Sequence, residues 1–341
     1  MRPATGFFTR CILFLLTFAV TVSACFDSAF ITRIDEPLFV NFPLLPFPLL
    51  SGIDPDPRGD FESLVIPLKR AGKLLLIEAT IDGESGNLVF DTGASGLVLN
   101  KTYFRNHSCF ECGPSDGITG STGNLGYMFA KEVRISDLYY ENIKADVADL
   151  GHIENIRGVK IIGLFGFNMI KSFEIVIDAN HNELQLHRID RKGNRVKAEQ
   201  FIILQDHTQK IDPSHPVLIV KGEIGGKSLN FCLDTGAETN AISNHASRTV
   251  LNTISITRRS DLRGVGQASN EVLFGIMNDF KLEKTPLPDM ETIVVNLDAL
   301  NDVFGVTIDG ILGNSFLEKG IITINLVKKQ FGIHYTKSTA S

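Results

Sequence analysis

At 341 residues, with 43% hydrophobic and 21% charged residues, the chain has the composition of an ordinary globular protein. Domains run to roughly 100–200 residues, so two are expected, and wholesale disorder, which needs fewer apolar residues and more charge, is excluded. A formal net charge of −6, with no run of Lys or Arg longer than two, lacks the basic patch that neutralises a phosphate backbone and argues against nucleic acid as a partner.

In chain order, Arg2 and Arg10 precede an uncharged apolar stretch, residues 11–22, which is followed by Ser23, Ala24 and Cys25. This is the charged, apolar and small-residue pattern of an export signal, and it is too short to cross a bilayer core of about 30 Å. Val22-Ser23-Ala24-Cys25 also resembles the bacterial lipobox, in which the cysteine is lipidated and becomes the new N-terminus. The resemblance implies a protein exported to a bacterial cell envelope and held to a membrane by a lipid at Cys25. Plain cleavage after Ala24 with secretion, or residence in the periplasm, is the alternative. Residues 25–60 carry Pro37, Pro43, Pro46, Pro48, Pro55 and Pro57 without a clean period. They read as a tether that lies partly on the folded body.

The rest of the chain repeats itself. Residues 77–93 (IEATIDGESGNLVFDTG) and 220–236 (VKGEIGGKSLNFCLDTG) align without a gap, with identities at Ile81/Ile224, Gly83/Gly226, Ser85/Ser228, Asn87/Asn230 and all of Asp-Thr-Gly. Residues 163–187 and 310–334 align the same way, their apolar positions coinciding almost throughout. This is duplication at domain scale. Within each copy short runs of Ile, Val, Leu and Phe alternate with turn pairs such as Asp82-Gly83 and His181-Asn182, which predicts strands joined by hairpins and an all-β lobe. The expected organisation is a signal peptide over 1–24, the tether over 25–60, an N-terminal lobe over 61–190, a charged linker over 191–200 and a C-terminal lobe over 201–338.

Asp-Thr-Gly occurs at 91–93 and again at 234–236, each time after an apolar strand. A Gly-x-x-Gly ends 75 residues after the first Asp, at Gly166, and 79 after the second, at Gly313. Phe90-Asp91-Thr92-Gly93-Ala94-Ser95 and Leu233-Asp234-Thr235-Gly236-Ala237-Glu238 resemble the active-site loop of the aspartic peptidases, the group holding pepsin and the retroviral proteases. Ile311-Leu312-Gly313 resembles the strand threading beneath that loop; in the first copy both Ile161-Ile162-Gly163 and Leu164-Phe165-Gly166 qualify. The resemblance implies a bilobal acid-protease fold, two retropepsin-like β-barrel lobes related by a pseudo-twofold axis. Asp91 and Asp234 would face each other as catalytic residues in a monomer whose lobes pair within one chain. Two carboxyls close enough to share a proton can take one from water and give one to a peptide carbonyl, so one copy supplies only half the chemistry. Thr92 and Thr235 would bond across the interface, and Gly93 and Gly236 would let the backbone pass close to the carboxylates. An extended polypeptide is the implied substrate, and no cofactor or metal is implied.

Pepsin-like enzymes have a hydroxyl residue three positions after each Asp; Ala94 and Ala237 instead match the retroviral pattern. Losing that donor raises the upper pKa of the pair and extends activity to milder pH. Glu238 stands where retroviral enzymes have an acid that contacts substrate backbone, whereas Ser95 departs from that pattern, so the two halves of the cleft are not equivalent. The Gly-rich stretches around Gly120 and Gly266 match in position the family's flexible hairpin over the substrate, with ordinary hairpin turns as the alternative.

Cys109 and Cys112 read as a small structural disulfide in an exported protein, over a redox pair or half a zinc site with His107, since no second Cys-x-x-Cys follows. Cys232 reads as a buried core thiol. His187 and His334 end equivalent strands and read as surface residues. From a different function class, a non-catalytic envelope lipoprotein that binds peptides in the same cleft is the competing reading.

Overall fold

The computed structural model describes residues 10–13, 45–48, 55–105, 110–117, 120–197, 203–263 and 269–336. Most of the proposed export signal, Cys25, most of the tether, Cys109, the end of the linker and Gly266 lie outside the described residues. Of Cys112 only the backbone is described. Apart from a separate antiparallel pair, Arg10–Leu13 with Leu45–Pro48, the strands form three sheets. The fold is mostly β, as the sequence predicts.

In the N-terminal lobe, Leu74–Ile81 and Glu84–Asp91 form a hairpin across Asp82-Gly83. Ile161–Gly166 then runs parallel to Glu84–Asp91 and antiparallel to Leu97–Asn100. Its six residues are all buried, because a strand inserted between two others with both faces covered must be apolar throughout. Leu97–Asn100 pairs with Leu138–Ala148, and that strand pairs with Gly120–Ile135. Thr80 and Ile81 then pair back onto Arg134 and Val133, closing a six-stranded barrel.

The C-terminal lobe repeats the path with Ile219–Ile224, Lys227–Leu233, Gly310–Leu312, Asn240–Ser243, Met290–Val295 and Ser269–Met277. Closure fails there because Glu223 and Ile224 pair with the short strand Phe280–Leu282 instead, so this sheet is a curled half-barrel. Each lobe also carries a seven-residue helix, Gly151–Arg157 and Asp298–Phe304, ended by left-handed Gly158 and Gly305.

A six-stranded antiparallel sheet joins the lobes. It runs His207–Lys210, Gln330–Tyr335, Gly320–Asn325, Phe173–Asp178, Glu183–Arg188 and Ser63–Pro67, with the lobes meeting where Phe173–Asp178 pairs with Gly320–Asn325. The main apolar core runs through this sheet and both lobes. Residues 57–59 are already part of the body: Arg58 bridges to Tyr139, and Arg188 donates to the carbonyls of Pro57 and Gly59.

The joining sheet corrects the expectation for His187. It is fully buried, because Ser63–Pro67 covers its strand from the far side and Ser63 Oγ lies 2.8 Å from His187 Nδ1. Burial, with the Arg195 charge adding to it, pushes the imidazole down to about 4. His334 is half exposed and pairs with Asp206 at 2.9 Å. Cys232 is buried, as predicted.

Candidate active site

Asp91 ends the strand Glu84–Asp91, and Asp234 follows directly on Lys227–Leu233. Each is held from below by the threaded strand of its own lobe. Gly166 pairs with Asp91, and Asp234 N donates to the Leu312 carbonyl at 2.9 Å. Phe167 N donates to the Ala94 carbonyl just as Asn314 N donates to that of Ala237, which equates Gly166 with Gly313. Leu164-Phe165-Gly166 is thus the first-lobe counterpart of Ile311-Leu312-Gly313, and Ile161-Ile162-Gly163 precedes it in the same strand.

The two Asp-Thr-Gly loops meet through a reciprocal set of buried hydrogen bonds. Thr92 N donates to Thr235 Oγ1 at 2.9 Å and Thr235 N to Thr92 Oγ1 at 3.0 Å. Each hydroxyl in turn donates across the interface, Thr92 to the Leu233 carbonyl at 2.9 Å and Thr235 to the Phe90 carbonyl at 2.8 Å. Both threonines are 1% exposed, so each bond forms in a dry, low-dielectric setting.

This clamp brings the carboxyls together. A Cβ placed on Gly93 would fall 2.7 Å from Asp234 Cγ, and one on Gly236 would fall 2.6 Å from Asp91 Cγ. Only glycine leaves room for each loop to pass over the opposite carboxyl. Asp91 Oδ1 accepts from Gly93 N at 2.9 Å and Ala94 N at 3.0 Å, and Asp234 Oδ1 accepts from Gly236 N at 2.8 Å. Asp91 Oδ2 is buried and receives no donor from the rest of the chain, while the two carboxyls share a hydrogen bond.

Both groups are held above the ordinary carboxyl range. For Asp91 the causes are burial first, then the Asp234 charge, opposed by the Ala94 and Gly93 amides. For Asp234 burial raises the pKa, and the bond with Asp91 and the amides of Gly236, Gly93 and Ala237 oppose it. Two like charges this close and this dry cannot both persist, so the pair holds a proton well above the pH at which a free carboxyl loses one.

Ala94 and Ala237 are buried, each within an apolar cluster that also contains residues of its lobe's short helix. No side-chain hydroxyl reaches either carboxyl from these positions. Glu238 is committed to a contact absent from the sequence reading. It is buried and forms an ion pair with Arg157 of the other lobe, and it accepts from the backbone N–H of Lys73. Gly72, left-handed at φ 65°, keeps its backbone against that guanidinium, where a Cβ would lie 2.4 Å from an Arg157 Nη1. Lys73 also pairs with Glu291 across the lobes.

Ser95 has no counterpart to this pair. Its carbonyl accepts from Asn168 N at 3.0 Å, and the residue matching Arg157 at the end of the other helix is the buried Phe304. Gly120 starts the long strand Gly120–Ile135 and pairs with Gly117 at the tip of a hairpin. The matching hairpin is Ile254–Arg263 with Ser269–Met277.

Among the described residues no group of His, Cys, Asp and Glu could hold a metal ion, and no helix is long and apolar enough to cross a membrane. A sequence model for a family described as aspartyl protease matches residues 220–316, from the strand Ile219–Ile224 to the helix Asn314–Leu317 and including Asp234. The match supports an aspartic peptidase family and, with it, a peptidase hydrolase. No curated protein matches the chain.

Proposed function

We propose that the chain is an aspartic endopeptidase that hydrolyses extended polypeptides with a water activated between Asp91 and Asp234. One observation carries this reading. Two buried carboxyls, one from each copy of the repeat, are brought together by the reciprocal threonine bonds, each against the glycine of the opposite loop. In the proposed cycle the ionised carboxylate takes a proton from water as its oxygen attacks the peptide carbon. The protonated partner gives its proton to the carbonyl oxygen. The resulting tetrahedral diol collapses as the protonated carboxyl gives its proton to the amide nitrogen, the C–N bond breaks, and the other carboxylate takes a proton from a diol hydroxyl as the carbonyl reforms, so the pair again holds one proton. Both Asp-Thr-Gly copies belong to one chain, which supports a monomer with a complete site.

The test is incubation of the purified protein with a denatured protein library from pH 3 to 8. Asp91→Asn and Asp234→Asn should each abolish cleavage, because general acid–base catalysis contributes roughly 10²–10⁴-fold and each half is required. A single variant keeping more than about a tenth of wild-type turnover would overturn the shared-proton mechanism.

The reading extends to an exported protein held to the bacterial envelope by a lipid on Cys25, supported by the Val22-Ser23-Ala24-Cys25 sequence. The wild type should partition into detergent and carry acyl mass at Cys25, and Cys25→Ser should do neither. An unmodified N-terminus at Cys25 would assign ordinary secretion instead.

A further inference from the structure

A cavity of about 600 Å³ opens between the lobes at the Glu238 end of the cleft. Its walls carry Lys73 and Arg157 from the N-terminal lobe, and Glu238, Arg258, Phe274 and Glu291 from the C-terminal lobe. Four of these five charges cancel in pairs, Arg157 with Glu238 and Lys73 with Glu291. Arg258 is left over. Its guanidinium carbon lies 4.2 Å from the centroid of the Phe274 ring, and no carboxylate pairs with it among the described residues.

The backbone explains how Arg258 comes to line this space. Successive side chains of a regular strand face opposite sides, yet the consecutive Thr257 and Arg258 both line the cavity. The register between Ile254–Arg263 and Ser269–Met277 slips between Ile256 and Arg258, and a bulge of this kind re-aims a side chain. Arg258 then stands opposite Phe274 in the ladder. Stacking on a ring occupies the face of a guanidinium and leaves the N–H donors on its edge available to a carboxylate. The acids already present are neutralised by their own partners, so they do not repel an incoming one. At the other end of the cleft Ser95 and Phe304 replace Glu238 and Arg157, so the ion pair that walls this cavity is absent there.

We propose that this cavity is an acid-selecting subsite, in which Arg258 receives an Asp or Glu side chain of the polypeptide at one position flanking the scissile bond. The proposal rests on the endopeptidase reading and adds its substrate class. A charge-assisted hydrogen bond partly open to water corresponds to a preference on the order of 10-fold for Glu over Gln.

Fluorogenic peptides carrying Glu, Gln or Lys at each flanking position in turn test this, with kcat/KM measured for wild type, Arg258→Gln and Arg258→Glu. The same peptides are titrated by anisotropy onto Asp91→Asn protein with and without Arg258→Gln. At one position Glu should be preferred over Gln by about 10-fold, the preference should vanish in Arg258→Gln and Lys should be preferred in Arg258→Glu. The ratio of kcat/KM for the Glu peptide to that for the Gln peptide, taken within each protein, is the readout. Cleavage without acid preference, or with a preference that survives Arg258→Gln, overturns the subsite and leaves the peptidase standing. Acid-selective binding that depends on Arg258, without cleavage of any peptide, keeps the subsite and discards the peptidase. Neither selective binding nor cleavage overturns both.

Discussion

Replacing Thr92 by Val removes one oxygen and almost no volume, so the variant isolates the clamp between the loops from the packing around it. That oxygen has two partners: it accepts from Thr235 N at 3.0 Å and donates to the Leu233 carbonyl at 2.9 Å. The Thr235 N–H is buried in a residue only 1% exposed, and stranding such a donor costs about 1–3 kcal/mol. The lost bond to Leu233 adds about 1 kcal/mol, for a total of about 2–4 kcal/mol. Thr92→Ser keeps the oxygen and loses a methyl group, which costs about 1 kcal/mol. Equilibrium urea unfolding of the three proteins reads the difference, and turnover measured where all three are folded should fall for Val and persist for Ser. A Val variant within about 1 kcal/mol of wild type, or a Ser variant as costly as Val, would show that the reciprocal bonds do not hold the lobes together.

Three further outcomes follow from the same geometry. Gly236→Ala puts a methyl group 2.6 Å from Asp91 Cγ, so the loops must part; turnover should be lost and the melting temperature should drop, and a folded, active Ala variant would contradict the close approach. Both carboxyls of the pair lie above the unfolded value of about 3.9, so the native state binds protons more tightly than the unfolded chain. Their contribution to stability is full below about pH 4 and is lost as the pH rises through the native values. Asp91→Asn should therefore be more stable than wild type at pH 7, with the gap shrinking toward pH 4, and urea unfolding at the two pH values would expose the opposite trend. Arg157→Met leaves Glu238, with a side chain 6% exposed, without its counter-charge and should cost about 3–5 kcal/mol. Adding Glu238→Gln should recover most of that loss in the same unfolding assay, and a double variant as unstable as the single would assign the cost to packing instead.

Much of this arrangement is legible in the sequence because it is repeated there. Asp-Thr-Gly, the preceding apolar strand and the following Gly-x-x-Gly each occur twice, and a duplicated signal fixes both the lobe and its central thread. What the repeat cannot carry is whatever differs between the copies. The Arg157–Glu238 pair joins residues 81 positions apart, from a seven-residue helix too short to show a period, and its counterparts are Phe304 and Ser95. Closure of one barrel and not the other turns on which strand Ile81 and Ile224 meet, Val133 in one case and Phe280 in the other, all of them equally apolar. The burial of His187 depends on Ser63–Pro67, a strand that precedes the repeated segments, and the local pattern around His187 carries no trace of it.

The joining sheet also makes the meeting of the two Asp-Thr-Gly loops depend on strands far from either loop. One edge of Phe173–Asp178 is completed only by Gly320–Asn325, which in turn is flanked by Gln330–Tyr335. Asp91 and Asp234 belong to different lobes, and the pairing of Phe173–Asp178 with Gly320–Asn325 ties those lobes together. The reciprocal threonine bonds are thus backed by a sheet that contains neither loop. A fragment that stops short of residue 320 lacks that strand pairing.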